Sequence, residues 1–304
     1  MEKYSFAMKT ELIQVQLRAG LEPIITSPKA INPGMSKRMM ALKEFARKAA
    51  IWLDSLGHRQ IEFAIQLDDE SPQELCFRFD APEEFDNKGP LIPDPYALAS
   101  SGYKSVQKEL DRLPPWEDRV PMAIWRGSST GLKFLSLANI ASLPRYNLCS
   151  LGIQNPSLLD ASFTSIVQTI NFTDREEIEM NLRKQGILSK RIDPIHLGLH
   201  RWQLDIDGNV NSWGLLWKLL SGCCVLRVSS KRKQWYHHRL KPWEHFIPIS
   251  FDLRDLVDQL KWCRENPGVC ASIAHSGQIL AKKVVRVLEQ DQKLAVEAYA
   301  KQWL

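Results

Sequence analysis

A chain of 304 residues, 44% apolar and 25% charged, is long enough for two compact units and too apolar to stay disordered. Its formal net charge of +5 suits an anionic ligand, a nucleotide or an acidic membrane surface without demanding one; basic residues are scattered, with no stacking platform among them, which argues against a nucleic-acid-binding module. The six cysteines (Cys76, Cys149, Cys223, Cys224, Cys263, Cys270) form no CxxC pair, so a zinc ribbon is not expected and reduced thiols in a cytosol are.

The opening stretch MEKYSFAMKTELIQVQL lacks an apolar core of signal-peptide length, and no apolar run is long enough for a membrane-spanning helix. Residues 36–56 place Met39, Leu42, Ala46, Ala49, Leu53 and Leu56 at helical spacing, with Gly57 as C-cap. IEFAIQL (61–67) reads as a buried strand running into Asp68-Asp69. A carboxylate at a strand end that faces a cleft can serve as a general base; a helix cap or solvated turn is the plainer reading of those two residues taken alone. The proline-rich stretch 70–119 reads as an irregular connection between lobes.

RVPMAIW (119–125) is expected as a strand that opens directly into the loop RGSSTG (126–131). There Arg126 offers a guanidinium fork for a pyrophosphate, Gly127 permits close backbone approach, and Ser128, Ser129 and Thr130 supply hydroxyls. No Gly-Lys-Ser/Thr follows, so this is not a Walker A loop, and alone it fits a plain surface loop as well. SLLDASF (157–163) is a further strand, and Thr173–Glu176 form a capping box for a helix to about Gln185, ended by Gly186.

RWQLDI (201–206) reads as a strand, Asp207-Gly208 as a turn, and 212–221 as a helix capped by Asn211 or Ser212. Gly222 and the strand CVLRV (224–228) complete a β-α-β unit. Asp205 and Asp207 raise the alternative of an Asp-x-Asp metal site, but two carboxylates that close can share a metal only if both lie beyond the strand end, so the favoured reading is a turn followed by an anion site on the amides of Ser212–Gly214. The run Lys231-Arg232-Lys233 is expected as a solvated loop. In QWYHHRLKPWEHFIPI (234–249), Trp235, Tyr236, Trp243 and Phe246 read as core, His237, His238 and His245 lack metal-ligand spacing, and 245–249 is a strand. Asp252 is expected to cap a helix carrying Leu253, Leu256, Val257 and Leu260, and the chain from about Val269 is helical. Alternating strands and helices predict an α/β fold with largely parallel sheet.

WRGSSTG, DGNVNSWGLLWKLLSG, CVLRV, QWYHHRLKPWEHFIPI and DLRDL, in this order, resemble glycosyltransferase family 90, clearly over about 115–280 and more weakly over 60–115; residues 1–57 lie outside the resemblance. It implies a GT-B-like α/β architecture of two Rossmann-like lobes with a cleft between them: an acceptor-side lobe over 1–115, with a C-terminal helix at about 279–304 packing back on it, and a nucleotide-sugar-binding lobe over 116–278. It implies an inverting transfer from a UDP-linked sugar with no metal and no cofactor, Asp69 or its neighbour Asp68 as base, and a donor site of Arg126, Gly127, Ser128, Ser129, Thr130, Asp207, Gly208 and Ser212. Trp235, Tyr236 and Trp243 are candidates to flank the donor. Gly214 stands where the related glucosyltransferases usually carry an arginine, and Lys218 or Arg227 is expected to compensate. By analogy the acceptor is a glycan or lipid-linked glycan such as lipopolysaccharide, handled in the cytoplasm with peripheral contact at the inner membrane face.

Overall fold

The computed structural model describes residues 11–18, 21–28, 35–69, 74–82 and 88–304. The chain divides into two compact units: residues up to Gly102 with Lys231–His237 and Val285–Leu304, and Tyr103–Ser230 with His238–Val284.

In the first unit, β1 (Leu12–Leu17) alternates, burying Ile13, Val15 and Leu17. It pairs antiparallel with both β2 (Ile24–Thr26) and β3 (Ile61–Gln66), giving the order β2-β1-β3. The pattern LIQVQL is a strand signal that the sequence reading passed over. Helix α1 (Ser36–Ser55) buries Leu42, Phe45, Ala46, Ala49 and Leu53, and Gly57, at φ +94°, turns the chain out of it as expected. Leu56, placed on the buried face by spacing, is exposed. Tyr299 of α10 (Leu288–Trp303) stacks on Phe77 with ring centroids 4.6 Å apart.

Two expectations about the chain outside the parallel sheet are corrected. The 70–119 connection is not irregular throughout: outside 70–73 and 83–87, which lie beyond the described residues, it holds α2 (Pro95–Ala99) and α3 (Lys104–Leu110). Asp94 caps α2, its carboxylate accepting from the amides of Tyr96 (2.9 Å) and Ala97 (3.0 Å), and Pro95 sits in the first turn, where its missing N–H is no loss. The basic run 231–233 is not a solvated loop: β9 (Arg232–Lys233) pairs with β4 (Ala81–Pro82), and Arg232 Nε donates to the buried carboxylate of Asp80 at 2.8 Å.

In the second unit, β5 (Val120–Ser128), β6 (Leu159–Ser165), β7 (His200–Asp205), β8 (Cys224–Val228) and β10 (Ile247–Ile249) form a parallel five-stranded sheet in the order β10-β8-β7-β5-β6. Counted in chain order, the strands lie 2-1-3-4-5, a doubly wound arrangement. Ala123, Trp125, Phe163, Trp202, Leu204 and Leu226 join one core with α4 (Pro144–Gln154), α8 (Leu256–Glu265) and α9 (Pro267–Arg286). The α/β class and the parallel sheet are as expected.

The helix starts shift. Asn171, not Thr173, caps α5 (Phe172–Lys184), accepting from the Asp174 amide at 2.8 Å. Helix α8 begins at Leu256, not after Asp252, because Leu253 sits at φ +63° and breaks the preceding turn. Helices α4 and α6 (Pro194–Gly198) were not anticipated; in each the signal is a proline in the first turn.

Burial pushes the Asp94 carboxyl up from 3.8 to about 6. The folded protein then holds this proton more tightly than the unfolded chain, so the contribution is fully present below 3.8 and is lost as pH rises through about 6. Asn retains the cap without titrating. Urea unfolding over that pH range should show wild type losing stability relative to Asp94→Asn; a constant difference would contradict the assignment.

Candidate functional site

The sheet of the second unit reverses direction at β5: β6 lies on one side and β7 on the other. The pairing of β5 with β7 ends at Ile124–Gln203, whereas β5 follows β6 to Ser128–Ser165 and β7 follows β8 to Asp205–Arg227. The two strands therefore part before either ends, and the parting opens at the carboxyl edge. In doubly wound folds ligands bind in this crevice.

Both sequence motifs come to it. RGSSTG differs from its expected form: Arg126, Gly127 and Ser128 remain in β5, paired with β6, and the turn starts at Ser129. Gly127 is required by packing, because a Cβ there would lie 2.5 Å from the Trp125 ring. Gly208 meets the other motif directly: a Cβ would lie 2.3 Å from Thr130 Oγ1. Across 78 residues of chain, the Gly131 amide donates to Asn209 Oδ1 at 2.9 Å.

Arg145, which the sequence reading missed, fills the fork. It stands in the first turn of α4, after Pro144. Its Nε donates to the Asp207 carbonyl (2.9 Å), Nη1 to the Ser128 carbonyl (2.9 Å) and Thr130 Oγ1 (2.6 Å), and Nη2 to the Ile206 carbonyl (3.0 Å). Burial pushes its pKa down to about 10, against the pull of Asp207 and Asp205. A cation in a helix's first turn opposes the helix dipole, so its presence there was a sign of acceptors elsewhere in the fold.

Neighbouring strand ends are joined in the same way. Ser129 Oγ donates to the Val167 carbonyl (3.0 Å) and accepts from the Val167 amide (2.8 Å), and Ser229 Oγ donates to the Ile249 carbonyl at 3.0 Å. Asp207 accepts from the Ser212 amide (3.0 Å) on one oxygen and from Ser230 Oγ (2.5 Å) on the other, and burial pushes its carboxyl up.

Both acidic residues of the Asp-x-Asp pair have protein partners. Asp205 is buried and accepts from Ser212 Oγ (2.5 Å) and Lys218 Nζ (2.8 Å), so its charge is met by a lysine. Among the described residues, no three His, Cys, Asp or Glu side chains converge closely enough to hold a metal ion. The expected helix start is corrected: α7 spans only Leu215–Leu220, and the Ser212 amide is taken by Asp207, so Ser212–Gly214 are not a first turn with its amides open. Lys218 is turned to Asp205. Arg227 lies opposite Asp205 in the sheet, its guanidinium 5.5 Å from the centroid of the Phe246 ring. A Cβ at Gly214 would lie 3.1 Å from Lys218 Cε, so an arginine there would contend with Lys218 for space.

The other expected residues are placed differently. Arg126 is turned along the sheet to β6: Nη2 meets Asp160 Oδ2 at 2.6 Å, Nη1 donates to the carbonyls of Trp125 (2.9 Å) and Asp160 (3.0 Å), and Nε is buried without an acceptor. Asp69 and Asp68 belong to the first unit. Asp69 Oδ1 accepts from Arg38 Nη1 at 2.9 Å, and Asp68 Oδ2 from the Glu11 amide at 2.9 Å. Trp235 and Tyr236 are buried in the first unit, edge to face at 4.7 Å, and Phe246 is buried in the second, as core residues should be. Trp243 departs from that reading: it is 48% exposed, at φ +64°, 5.4 Å from Trp262. It precedes β10 and so sits at the amino edge of the sheet, opposite the crevice. His245 Nδ1 accepts from the Lys241 amide at 3.0 Å, and burial pushes its pKa down.

Residues 100–292 match the profile of Glycosyl transferase family 90. The chain belongs to that family. Protein 179R of Invertebrate iridescent virus 6 is 30% identical over 177 residues, 53% of this chain and 15% of that protein. Human protein O-glucosyltransferase 3 is 27% identical over 173 residues, 57% of this chain and 30% of that protein. The chain thus spans under a third of these relatives' length. Among solved structures, Anabaena HepE in complex with UDP-glucose aligns at 14% identity and TM-score 0.40, covering 65% of this chain and 53% of HepE.

The Asp205–Lys218 pair supplies a stability test. Removing one partner of a buried ion pair leaves the other charge uncompensated. Lys218→Met should therefore lower unfolding stability by about 3 kcal/mol, read by urea denaturation; a loss within error of zero would show that solvent reaches Asp205.

Proposed function

We propose that the protein transfers a sugar from a UDP-linked donor to a hydroxyl of a glycan acceptor, with inversion and without a metal ion. The observation that carries this reading is the meeting of the 126–131 segment and the Asp207-Gly208 turn at the sheet's reversal point, within a chain of family 90. The names of the O-glucosyltransferase relatives favour a glucosyl donor.

The nucleotide diphosphate rests against Ser128–Thr130 and the turn after β7, with the Arg126 guanidinium exchanging Asp160 for a phosphate oxygen. Arg126 already binds one anionic oxygen, and its Nε is left without an acceptor. Fixed donors of this kind stabilise the charge that grows on the leaving diphosphate. Asp69, held through Oδ1 by Arg38, takes the acceptor's proton on Oδ2 as the hydroxyl attacks the anomeric carbon. The metal-free reading is supported by the engagement of Asp205 and Asp207 with Lys218, Ser212 and Ser230.

The acceptor is a lipid-linked or cell-surface glycan, reached from the cytoplasmic side by peripheral contact. Among the described residues, no helix is long and apolar enough to cross a membrane. A second reading, a protein that binds the donor without transferring it, is favoured only by Gly214 with Lys218 turned to Asp205; a donor-hydrolysis assay separates the two.

UDP-glucose should raise the melting temperature equally with and without EDTA; stabilisation lost on chelation would defeat the metal-free reading. Asp69→Asn should abolish transfer while leaving UDP binding intact, and unchanged turnover would remove Asp69 as base. Arg126→Ala should weaken UDP binding about tenfold, the scale of one charge-assisted hydrogen bond, in a calorimetric titration; equal affinity would take Arg126 out of the site.

A further inference from the structure

We infer that Arg145 is the positioning residue of the crevice: from the first turn of α4 its guanidinium fixes the separation between the Ser128–Thr130 segment and the Ile206–Gly208 turn, and so sets the crevice's affinity for a nucleoside diphosphate. The inference rests on the donor-site reading above and assigns Arg145 no contact with the donor itself.

The geometry is specific. The β5–β7 pairing stops at Ile124–Gln203, so beyond it no ladder holds these two strand ends to each other. Arg145 reaches both ends with one rigid group. Four of the five guanidinium N–H groups are used, on the carbonyls of Ser128, Ile206 and Asp207 and on Thr130 Oγ1. All four acceptors are uncharged oxygens, so the cation is spent on backbone placement rather than on an ion pair. The aromatic face of Trp125, whose ring centroid is 5.6 Å from the guanidinium carbon, supports the group from β5. Gly208 packs into the same join: a Cβ there would lie 2.3 Å from Thr130 Oγ1 and 2.9 Å from Arg145 Nη2. A lysine has one charged nitrogen and no fork, so it cannot span the same acceptors.

The test uses Arg145→Lys in the full chain, with UDP as the probe in a calorimetric titration. Hydrogen exchange is followed in peptides covering 128–131 and 206–209. In Arg145→Lys the UDP Kd should rise at least tenfold well below the melting temperature. Exchange should quicken in both segments while β6 and β8 keep their protection. Unchanged affinity, or unchanged exchange in the two segments, would overturn the assignment. A role in stability alone would lower the melting temperature and leave the Kd of the folded variant as it was. If wild type binds no UDP or UDP-sugar, the donor reading fails, and the exchange result by itself decides whether Arg145 fixes the two turns. If Arg145→Lys does not fold, wild type decides: the amides of Gly131 and Gly208 should exchange as slowly as those within β5 and β7, and rapid exchange there would overturn the inference.

Discussion

Where two parallel strands part, the carbonyl oxygens along the gap lose the partners a ladder would supply, and buried backbone polar groups without partners are destabilising. Here the gap lies between β5 and β7, and a single guanidinium meets it with donors to three carbonyls and a threonine hydroxyl. The rest of the site follows from that join. The turn after β5 and the turn after β7 are held edge to edge, Gly208 is excluded from bearing a side chain, and Asn209 reaches the Gly131 amide. Serines joining β5 to the segment after β6, and β8 to β10, extend the same principle along the carboxyl edge.

The acidic residues nearby serve this scaffold. Asp207 ties the turn after β7 to Ser212 and to Ser230 beyond β8. Asp205, inside the sheet, is balanced by Lys218 from α7. With both carboxylates engaged, the cation that stands in the crevice itself is Arg145, while Arg126 is paired with Asp160 on β6. Arg126 occupies the middle ground: it is bound to Asp160 and buried for most of its length, yet Asp160 is partly open to solvent.

Much of the second unit was legible locally. The β7–α7–β8 unit and the alternation of strand with helix are carried by apolar spacing and by glycines at φ > 0 such as Gly222. The order of WRGSSTG, the Asp-Gly turn and the tryptophan-proline stretch was enough to suggest the family over the span where it was later found. Two of the misplaced helix starts share one cause. Helix starts at Thr173, Asp252 and Ser212 were placed on plausible capping residues, but the amide that needs a partner is chosen by the incoming chain: Asn171 captures Asp174, and Asp207 captures Ser212. Strand β1 was missed although its alternation is plain, and the basic run 231–233 became a strand because Asp80 and β4 await it.

The sequence by itself determined which residues are apolar, where the chain must turn, and that two small-residue motifs stand at strand ends. These are properties of spacing and backbone conformation within a few residues. Only the tertiary structure decided that the two motifs touch, that Arg145 joins them, and that Lys218 pairs with Asp205. Those outcomes depend on which strands lie side by side and where their pairing ends, and no local pattern encodes a neighbour some 60 residues away.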